Sequence, residues 1–229
     1  PAMRLVRARN SEGTWKEPFF PYLAQYGADF TEGNAHQYTW MVPHDVETLV
    51  AKMGGPEAFT ARLDSFFVDE NGRDNFGVDV TGLIGQYAHG NEPSHHIVYL
   101  YNYVGHQEKC AEKVRQILTE LYYDDHNGVC GNEDAGQMSA WYILSALGLY
   151  QVDPAAGEFQ FGSPLVHEAV LNVGGGKTFT VIAHNNSMEN IYIQEAKLNG
   201  EMLSGTSITY DDIKAGGVLE FTMGASPKK

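Results

Sequence analysis

Three polar segments of this 229-residue chain hold acids beside asparagine and glycine, and each leads into an apolar, helix-forming stretch. The segments are residues 31–45 around Glu32, residues 88–102 around Glu92, and residues 131–150, which contain Glu133 and Asp134. A single acid before a helix is ordinary capping, because it accepts from free N–H groups of the first turn and suits the helix dipole. Three such segments carry more oxygen acceptors than capping requires. We therefore predict that they converge on one ligand site.

The net charge limits the kind of ligand that such a site would take. The chain has 15 basic and 29 acidic residues, a formal charge of −14, and no basic cluster beyond the terminal lysine pair. This balance argues against nucleic acid or an anionic membrane as a partner and suits a sugar or a divalent metal. No apolar stretch is long enough to span a bilayer, so we predict no membrane insertion. The two cysteines, Cys110 and Cys130, leave a disulfide and two free thiols equally open.

Helices must position the three segments. Apolar residues recur at helical spacing in residues 46–53, 56–67, 95–105 and 106–123, and the segment 131–150 continues as a fifth helix that ends near Gly148. Ser94 is a candidate cap for the third of them. Helices joined by short Gly/Pro turns pack as antiparallel hairpins, and all three acid-bearing loops enter helices, so we predict that the loops share one end of a helical barrel. The acid-bearing loops would lie at that end, where a pocket forms.

The remainder of the chain alternates apolar and polar residues, as strands do. Alternation runs from residue 158 to residue 223, with turn-forming glycines at 174–176 and an Asn199-Gly200 pair. These patterns predict four to six antiparallel strands, which would form one sheet of a sandwich. Residues 151–164 read as a linker. We therefore predict a helical domain over residues 1–157 and a β segment over residues 158–229.

Long stretches of the sequence resemble the signature blocks of glycoside hydrolase family 92. The stretches are "EGNAHQYTWMVPHD", "HGNEPSHHIVYLYN" and "GNEDAGQMSAWYILSALGLYQVDPAAGEFQFGSP". The resemblance implies a calcium-dependent exo-α-mannosidase, secreted or periplasmic, of a kind common in Bacteroidetes. Family members are much longer, with an N-terminal β-sandwich before an (α/α)6 toroid. The implied fold is therefore α+β: the second half of the toroid followed by antiparallel strands of a sandwich. The first half would come from an N-terminal portion of the same protein or from another copy.

The resemblance also implies an inverting mechanism. One carboxyl protonates the leaving oxygen and one carboxylate activates water, about 6.5–9.5 Å apart. By their positions in the matching blocks, Glu32 is the predicted general acid and Asp134 the predicted general base. The acid must keep its proton, which a poorly solvated setting would favour. Tyr38 and Trp40 are the aromatic neighbours expected to provide that setting for Glu32.

The remaining site residues follow from the same blocks. Calcium prefers hard oxygen ligands, and the predicted ligands are Asn91, Glu92, Asn132 and Asp134. The predicted substrate contacts are Asn34, His36, Trp40, His95, His96, Glu133 and Gln137. Two positions depart from the family pattern, because His36 stands where tryptophan is usual and Asn132 stands where some members carry aspartate. Aromatic and histidine side chains are also ordinary core and wall residues, so that interpretation stays open for Trp40, His95 and His96.

The favoured interpretation is a calcium-dependent inverting exo-α-mannosidase, preferring α-1,2 linkages, that acts on mannose-terminated glycans. Three alternatives remain open. The chain is inert without the missing half; it is a mannose-binding module that uses Trp15, Trp40 and Tyr101 as stacking platforms; or it is a structural protein stabilised by calcium.

Overall fold

The computed structural model describes residues 4–24 and 28–228. Six α-helices occur in these ranges: α1 (Ala35–Tyr38), α2 (Val46–Met53), α3 (Pro56–Phe66), α4 (Gln107–Glu120), α5 (Gln137–Ala146) and α6 (Tyr210–Ala215). The helices predicted at residues 46–53 and 56–67 are confirmed, the one predicted at 106–123 is confirmed with shorter ends, and the one predicted to end near Gly148 is confirmed as α5.

The ends of α2 and α3 follow from local sequence. The carboxylate of Asp45 accepts from the backbone N–H of Thr48 at 3.1 Å and caps α2. Gly54 ends that helix with a φ of 104°, a left-handed backbone that glycine adopts without steric cost. Pro56 then begins α3, where its missing N–H costs nothing.

The prediction of an α-helix over residues 95–105 with Ser94 as its cap is wrong. The chain instead forms two 3₁₀ helices, Glu92–Ser94 and Ile97–Val104. Asn91 is the cap, because its side-chain oxygen accepts from the N–H of Glu92 at 3.0 Å. The Ser94 hydroxyl accepts from the N–H of Ala88 at 3.2 Å and is used there.

Ten strands occur among the described residues. They are β1 (Leu83–Ile84), β2 (Tyr87–Ala88), β3 (Leu149–Tyr150), β4 (Glu158–Phe161), β5 (Glu168–Gly174), β6 (Lys177–His184), β7 (Tyr192–Leu198), β8 (Glu201–Met202), β9 (Ser207–Thr209) and β10 (Gly217–Gly224). Strands β1 and β2 form a hairpin, β3-β4-β9 form a three-stranded sheet, and the order of the five-stranded sheet is β5-β6-β10-β7-β8.

The five-stranded sheet confirms most of the predicted antiparallel pairing and corrects one part of it. Hairpin turns lie where predicted, after Gly174 and at Asn199-Gly200. However, β10 pairs with β6 in parallel, with Leu219 opposite Val181. A parallel pair requires a crossover connection, and the residues between β6 and β10 supply one. Alternation of apolar residues is the same in both pairings, so it could not distinguish them.

The chain forms two compact units, Pro1–Ile97 with Tyr123–Met138 and Val98–Tyr122 with Ser139–Lys229. In this division, α4 belongs with the three-stranded and five-stranded sheets. In the second unit, apolar side chains of both sheets share one core, where Phe161 meets Phe221 edge to face at 5.1 Å. Arg115 of α4 donates to Ser187 O at 2.9 Å and to Asn186 Oδ1 at 2.9 Å.

The first unit holds all twelve residues that the sequence predicts for the site. Its core is aromatic: Trp40 packs edge-on against Phe59 and Phe66, at 5.3 and 5.7 Å between ring centroids. Both cysteines of the chain are free thiols. Among the described residues, no helix is long and apolar enough to cross a membrane.

Candidate active site

The first acid-bearing loop ends in a tightly bonded turn. Asn34 caps α1 by accepting from the N–H groups of His36 and Gln37, while the Gln37 side chain accepts from the N–H of Asn34 at 2.8 Å. A side chain on Gly33 would lie 2.8 Å from the Tyr38 ring, so only glycine fits there. Glu32 precedes this turn with a φ of 50°. Such a backbone costs about 1–3 kcal/mol in a non-glycine residue, and the neighbouring bonds must hold it.

The second loop binds the first directly. The side-chain nitrogen of Asn91 donates to the backbone oxygen of Glu32 at 2.8 Å and to its carboxylate at 3.2 Å. Asn91 is itself 6% exposed, so these bonds are shielded from water. The two loops are 59 residues apart in sequence, and this one amide fixes both the peptide and the carboxylate of Glu32.

The third loop reaches the second through two glycines. A side chain added to Gly131 would lie 2.6 Å from the backbone oxygen of Gly90, so the two backbones touch at these positions. Farther along, the side-chain nitrogen of Gln137 lies 3.2 Å from His95 Nδ1. These contacts join all three acid-bearing loops within one compact unit.

The backbone before α5 is unusual over three consecutive residues. Asp134, Ala135 and Gly136 have φ values of 48°, 56° and 96°. Non-glycine residues adopt positive φ uncommonly. Both predicted catalytic acids, Glu32 and Asp134, thus lie at strained positions, and both are exposed. Strain of this kind is concentrated at functional sites, where surrounding contacts maintain it.

His95 lies between the second and third loops as a neutral imidazole. Its Nε2 lies 2.9 Å from the backbone oxygen of His89, which only accepts, so Nε2 carries the proton. In this neutral ring, Nδ1 accepts from the side-chain nitrogen of Gln137. Burial lowers the pKa of His95, while its bond to His89 and the negative charge of Asp134 oppose that shift. His95 is therefore both bonded near the third loop and within electrostatic reach of Asp134.

The twelve predicted site residues fall into three groups by solvent exposure. Five are exposed and available to a ligand: Glu32, Glu92, Asn132, Glu133 and Asp134. Five are buried: Asn34, Trp40, Asn91, His95 and His96. His96 Nε2 bonds to the backbone oxygen of Trp40 at 2.8 Å, which ties two wall residues together. Gln137 and His36 are intermediate.

The expectation of a poorly solvated Glu32 is not met in this structure. Trp40 is only 1% exposed and its ring lies in the aromatic core. Tyr38 does lie near the acid. Burial and the negative charge of Glu32 raise the pKa of the Tyr38 hydroxyl. The Tyr38 hydroxyl donates to the backbone oxygen of Thr31 at 2.6 Å, so it supports the loop. Glu32 itself is exposed.

His36 lies at an open pocket of about 390 Å³, whose walls include Trp40, Arg62 and Asp69. Its ring stacks on Tyr22 at 4.3 Å between centroids. Burial lowers its pKa to about 4, although Asp69 opposes the shift. At neutral pH it therefore presents an uncharged ring in the place where the family resemblance leads one to expect an indole.

The aromatic platforms suggested for a sugar-binding module are poorly placed. Trp40 and Tyr101 are each 1% exposed. Trp15 is 50% exposed, but the guanidinium of Arg9 lies over its ring at 4.3 Å. None of these three rings presents a free, flat face, so the geometry does not favour the binding-module interpretation.

Donors for a hard cation are present, although not in a preformed cluster. Within residues 4–24 and 28–228, no group of three or more histidine, cysteine or acidic side chains is arranged to hold a metal. The exposed oxygens of Glu92, Asn132 and Asp134 nevertheless lie on the two loops that meet at Gly90 and Gly131. Carboxylate and amide oxygens are the ligands that calcium prefers, so the donor chemistry fits.

Gln86 is a structural member of this region that the sequence did not reveal. It lies in the turn between β1 and β2, is 0% exposed, and bonds to Asn34. A glutamine between glycine and tyrosine, outside any motif, gives no signal in one sequence. Only its burial in the fold identifies it.

Comparison with known proteins places this region in a family. Residues 1–225 match the glycosyl hydrolase family 92 catalytic domain. An "uncharacterized secreted glycosidase" of Arthroderma benhamiae is 31% identical over 94% of this chain. A family GH92 α-mannosidase from Bacteroides thetaiotaomicron, solved with mannoimidazole, is 39% identical over 99% of this chain, with a TM-score of 0.92. An inverting GH92 mannosidase from the same species is 38% identical over 97% of the chain, with a TM-score of 0.83.

These relatives are much longer than the chain. It spans 28% of the Arthroderma glycosidase and 30% and 31% of the two Bacteroides mannosidases. The matched region is therefore one part of those proteins.

Proposed function

Because the chain belongs to glycosyl hydrolase family 92, we propose that it supplies the acid-bearing part of an inverting exo-α-mannosidase. The observation that carries this proposal is the junction of the three loops, in which Asn91 binds Glu32 and Gly131 touches Gly90. Mannose-terminated glycans are the proposed substrate, with α-1,2 linkages preferred. The name of the Arthroderma relative supports a secreted or periplasmic location.

Glu32 is the proposed general acid. Asn91 holds its backbone and one carboxylate oxygen, so the second oxygen is available to protonate the leaving group. Asp134 is the proposed general base, which takes a proton from the attacking water. Inversion requires the two carboxyls to stand about 6.5–9.5 Å apart, with water and sugar between them. His95, which is bonded to Gln137 and lies within electrostatic reach of Asp134, is the proposed support for the base.

Glu92, Asn132 and Asp134, with Asn91 beside them, are the residues that would hold calcium. The ion would supply positive charge that binds and polarises sugar hydroxyls. Glu133 and Gln137 are the proposed polar contacts to the sugar, and His36 is a candidate contact to the leaving group. The buried side chains of Asn34, Trp40 and His96 would act by shaping the wall.

Substitution of the two acids tests the catalytic assignment. Glu32→Gln and Asp134→Asn are made in the native protein, with any sequence that flanks these residues. General acid or base catalysis contributes about 10²–10⁴-fold, so each variant should lose that much kcat. Glu201→Gln and Asp124→Asn, which change exposed acids outside the three loops, serve as controls. Proton NMR of the first-formed sugar should show the inverted anomer. Near-normal rates in either site variant would remove the assignment.

Calcium dependence has a separate test. The protein is first freed of metal with a chelator and then titrated with calcium alone in a calorimeter. We expect calcium binding that is weakened in Glu92→Gln and unchanged in Glu201→Gln. Stabilisation should follow, by about 2.7 kcal/mol at a calcium concentration of 100 times Kd. A protein that binds no calcium, and whose mannosidase activity survives chelation, would contradict the metal proposal while leaving the acids in place.

The need for an N-terminal portion is tested by comparing residues 1–229 alone with the native protein. We expect the isolated chain to lack activity, since the relatives devote about two thirds of their length to other sequence. Adding the missing portion, or a second copy at high concentration, should restore activity. Full activity of a monomeric isolated chain would overturn this expectation.

A further inference from the structure

Gln86 is a fully buried amide whose hydrogen-bond donors are all used. Its backbone N–H donates to Phe66 O at 2.8 Å. Its side-chain nitrogen donates to Asp69 O at 3.0 Å and to Asn71 O at 2.8 Å. Two backbone oxygens accept only, so they fix which end of the amide is nitrogen. The side-chain oxygen must therefore point the other way.

Both oxygens of Gln86 face α1. The side-chain oxygen accepts from Asn34 Nδ2 at 2.9 Å, and the backbone oxygen accepts from Gln37 Nε2 at 2.9 Å. These two partners are the two members of the capping box that begins α1. Gln86 thus contacts both capping amides: its side chain helps to orient Asn34, and its backbone oxygen accepts from Gln37.

The orientation is passed to Glu32 over a very short distance. With its nitrogen turned to Gln86, Asn34 presents its oxygen to the helix N–H groups and holds the turn closed. A single glycine separates Asn34 from Glu32, whose φ of 50° is a strained conformation. A strained residue persists only where its surroundings fix it. On one side Asn91 fixes it, and on the other side the capping box does.

We propose that Gln86 is a positioning residue for the general acid: through its side-chain bond to Asn34 it sets the direction of the Glu32 carboxyl. This inference rests on the proposed role of Glu32. An aliphatic side chain would fill the same buried volume without requiring three hydrogen-bond partners, since a buried amide is costly unless all its bonds are made. The bonds identify a geometric role rather than a space-filling one.

The test uses leaving groups, because a misplaced acid matters only where the leaving oxygen needs a proton. Gln86→Met and the isosteric Gln86→Glu are made in the native protein. Hydrolysis is measured with an α-linked mannobiose and with 2,4-dinitrophenyl α-mannoside, whose phenolate departs unprotonated. A misplacement of about 1 Å costs on the order of 10²-fold. We expect a kcat loss of that size on mannobiose and little loss on the activated substrate. Gln86→Glu keeps the acceptor for Asn34 but loses donors to Asp69 O and Asn71 O, so it should show the same pattern.

A matched control and a double variant separate positioning from general stability. Gln160 is a buried glutamine of the second unit. It is 5% exposed, and its side-chain oxygen accepts from Asn102 at 3.3 Å. Gln160→Met should affect the two substrates equally. In the Glu32→Gln background, Gln86→Met should cause no further loss on mannobiose, because the group it positions has already been removed.

Each result decides the matter. Equal losses on both substrates, an undiminished loss in the Glu32→Gln background, or no loss at all would overturn the proposal. If Gln86→Met does not fold, as thermal denaturation would show, Gln86→Glu carries the same comparison. Wild-type activity of Glu32→Gln itself would instead refute the proposed function, so the two failures are distinguishable.

Discussion

A substitution at Gly131 should force apart the two loops that meet at Gly90 and Gly131. In Gly131→Ala the new carbon would lie 2.6 Å from the backbone oxygen of Gly90 and 2.7 Å from its Cα. Carbon atoms pack at about 3.5–4.0 Å, so the loops must separate by about 1 Å. Both atoms belong to backbone and cannot rotate away. Gly131 does not have a left-handed φ, so the effect is steric alone.

The separation should affect activity more than stability. A shift of about 1 Å between catalytic groups costs on the order of 10²-fold in rate, and overpacking costs about 1–3 kcal/mol of unfolding free energy. The assay is kcat/KM on an α-linked mannobiose, with urea denaturation of the same preparation.

The matched control is Gly205→Ala. No atom lies within 4 Å of its new carbon, and its backbone is not left-handed. Activity should be unchanged, and stability should rise by about 0.4–1 kcal/mol through the less flexible unfolded chain. If Gly131→Ala keeps the wild-type kcat/KM, the close approach of these loops does not matter for catalysis, and the reasoning from the loop junction fails.

Two further predictions concern stability. The pKa values of His36 and His96 are lowered to about 4, mainly by burial, so below pH 6.5 the unfolded chain binds protons that the folded chain does not. The free energy of unfolding should therefore fall as the pH drops from about 6.5 towards 4, by up to about 1.4 kcal/mol per pH unit for each histidine. Urea denaturation at pH 7 and at pH 5 measures the loss. His96→Gln should make the free energy of unfolding less dependent on pH. Arg115→Met removes the donor to the oxygens of Pro164, Ser187 and Asn186. The substitution should destabilise the second unit by about 3 kcal/mol. An unchanged urea midpoint would contradict the role given to Arg115.

Local patterns predicted the elements whose structure is decided locally. The helices over 46–53 and 56–67 have their own stop and start signals in Gly54 and Pro56, and the buried faces of β6 and β10 follow strict alternation. The region after Asn91 was predicted as α-helix, because its apolar spacing does not distinguish a 3₁₀ helix. Its polar groups bond to Ala88 and His89, which no local pattern records.

The sequence identified candidate acids but not the residues that support them. Glu32, Glu92 and Asp134 stand out because carboxylates before helices exceed what capping needs. Gln86 and the Gly90–Gly131 contact arise only when distant segments meet, 41 residues apart in the second case, and neither residue type signals that meeting in sequence. The parallel pairing of β10 is of the same kind, since register and direction are tertiary properties.

The position of β10 has a consequence for how the sheet is completed during synthesis. It follows β5, β6, β7 and β8 along the chain, yet it lies between β6 and β7. Until residues 217–224 leave the ribosome, β6 and β7 each present an open row of N–H and carbonyl groups. Open rows of that kind recruit other chains. A nascent protein paused before this strand would hold two unpaired hairpins, and rapid translation or a chaperone across that interval would protect it from aggregation.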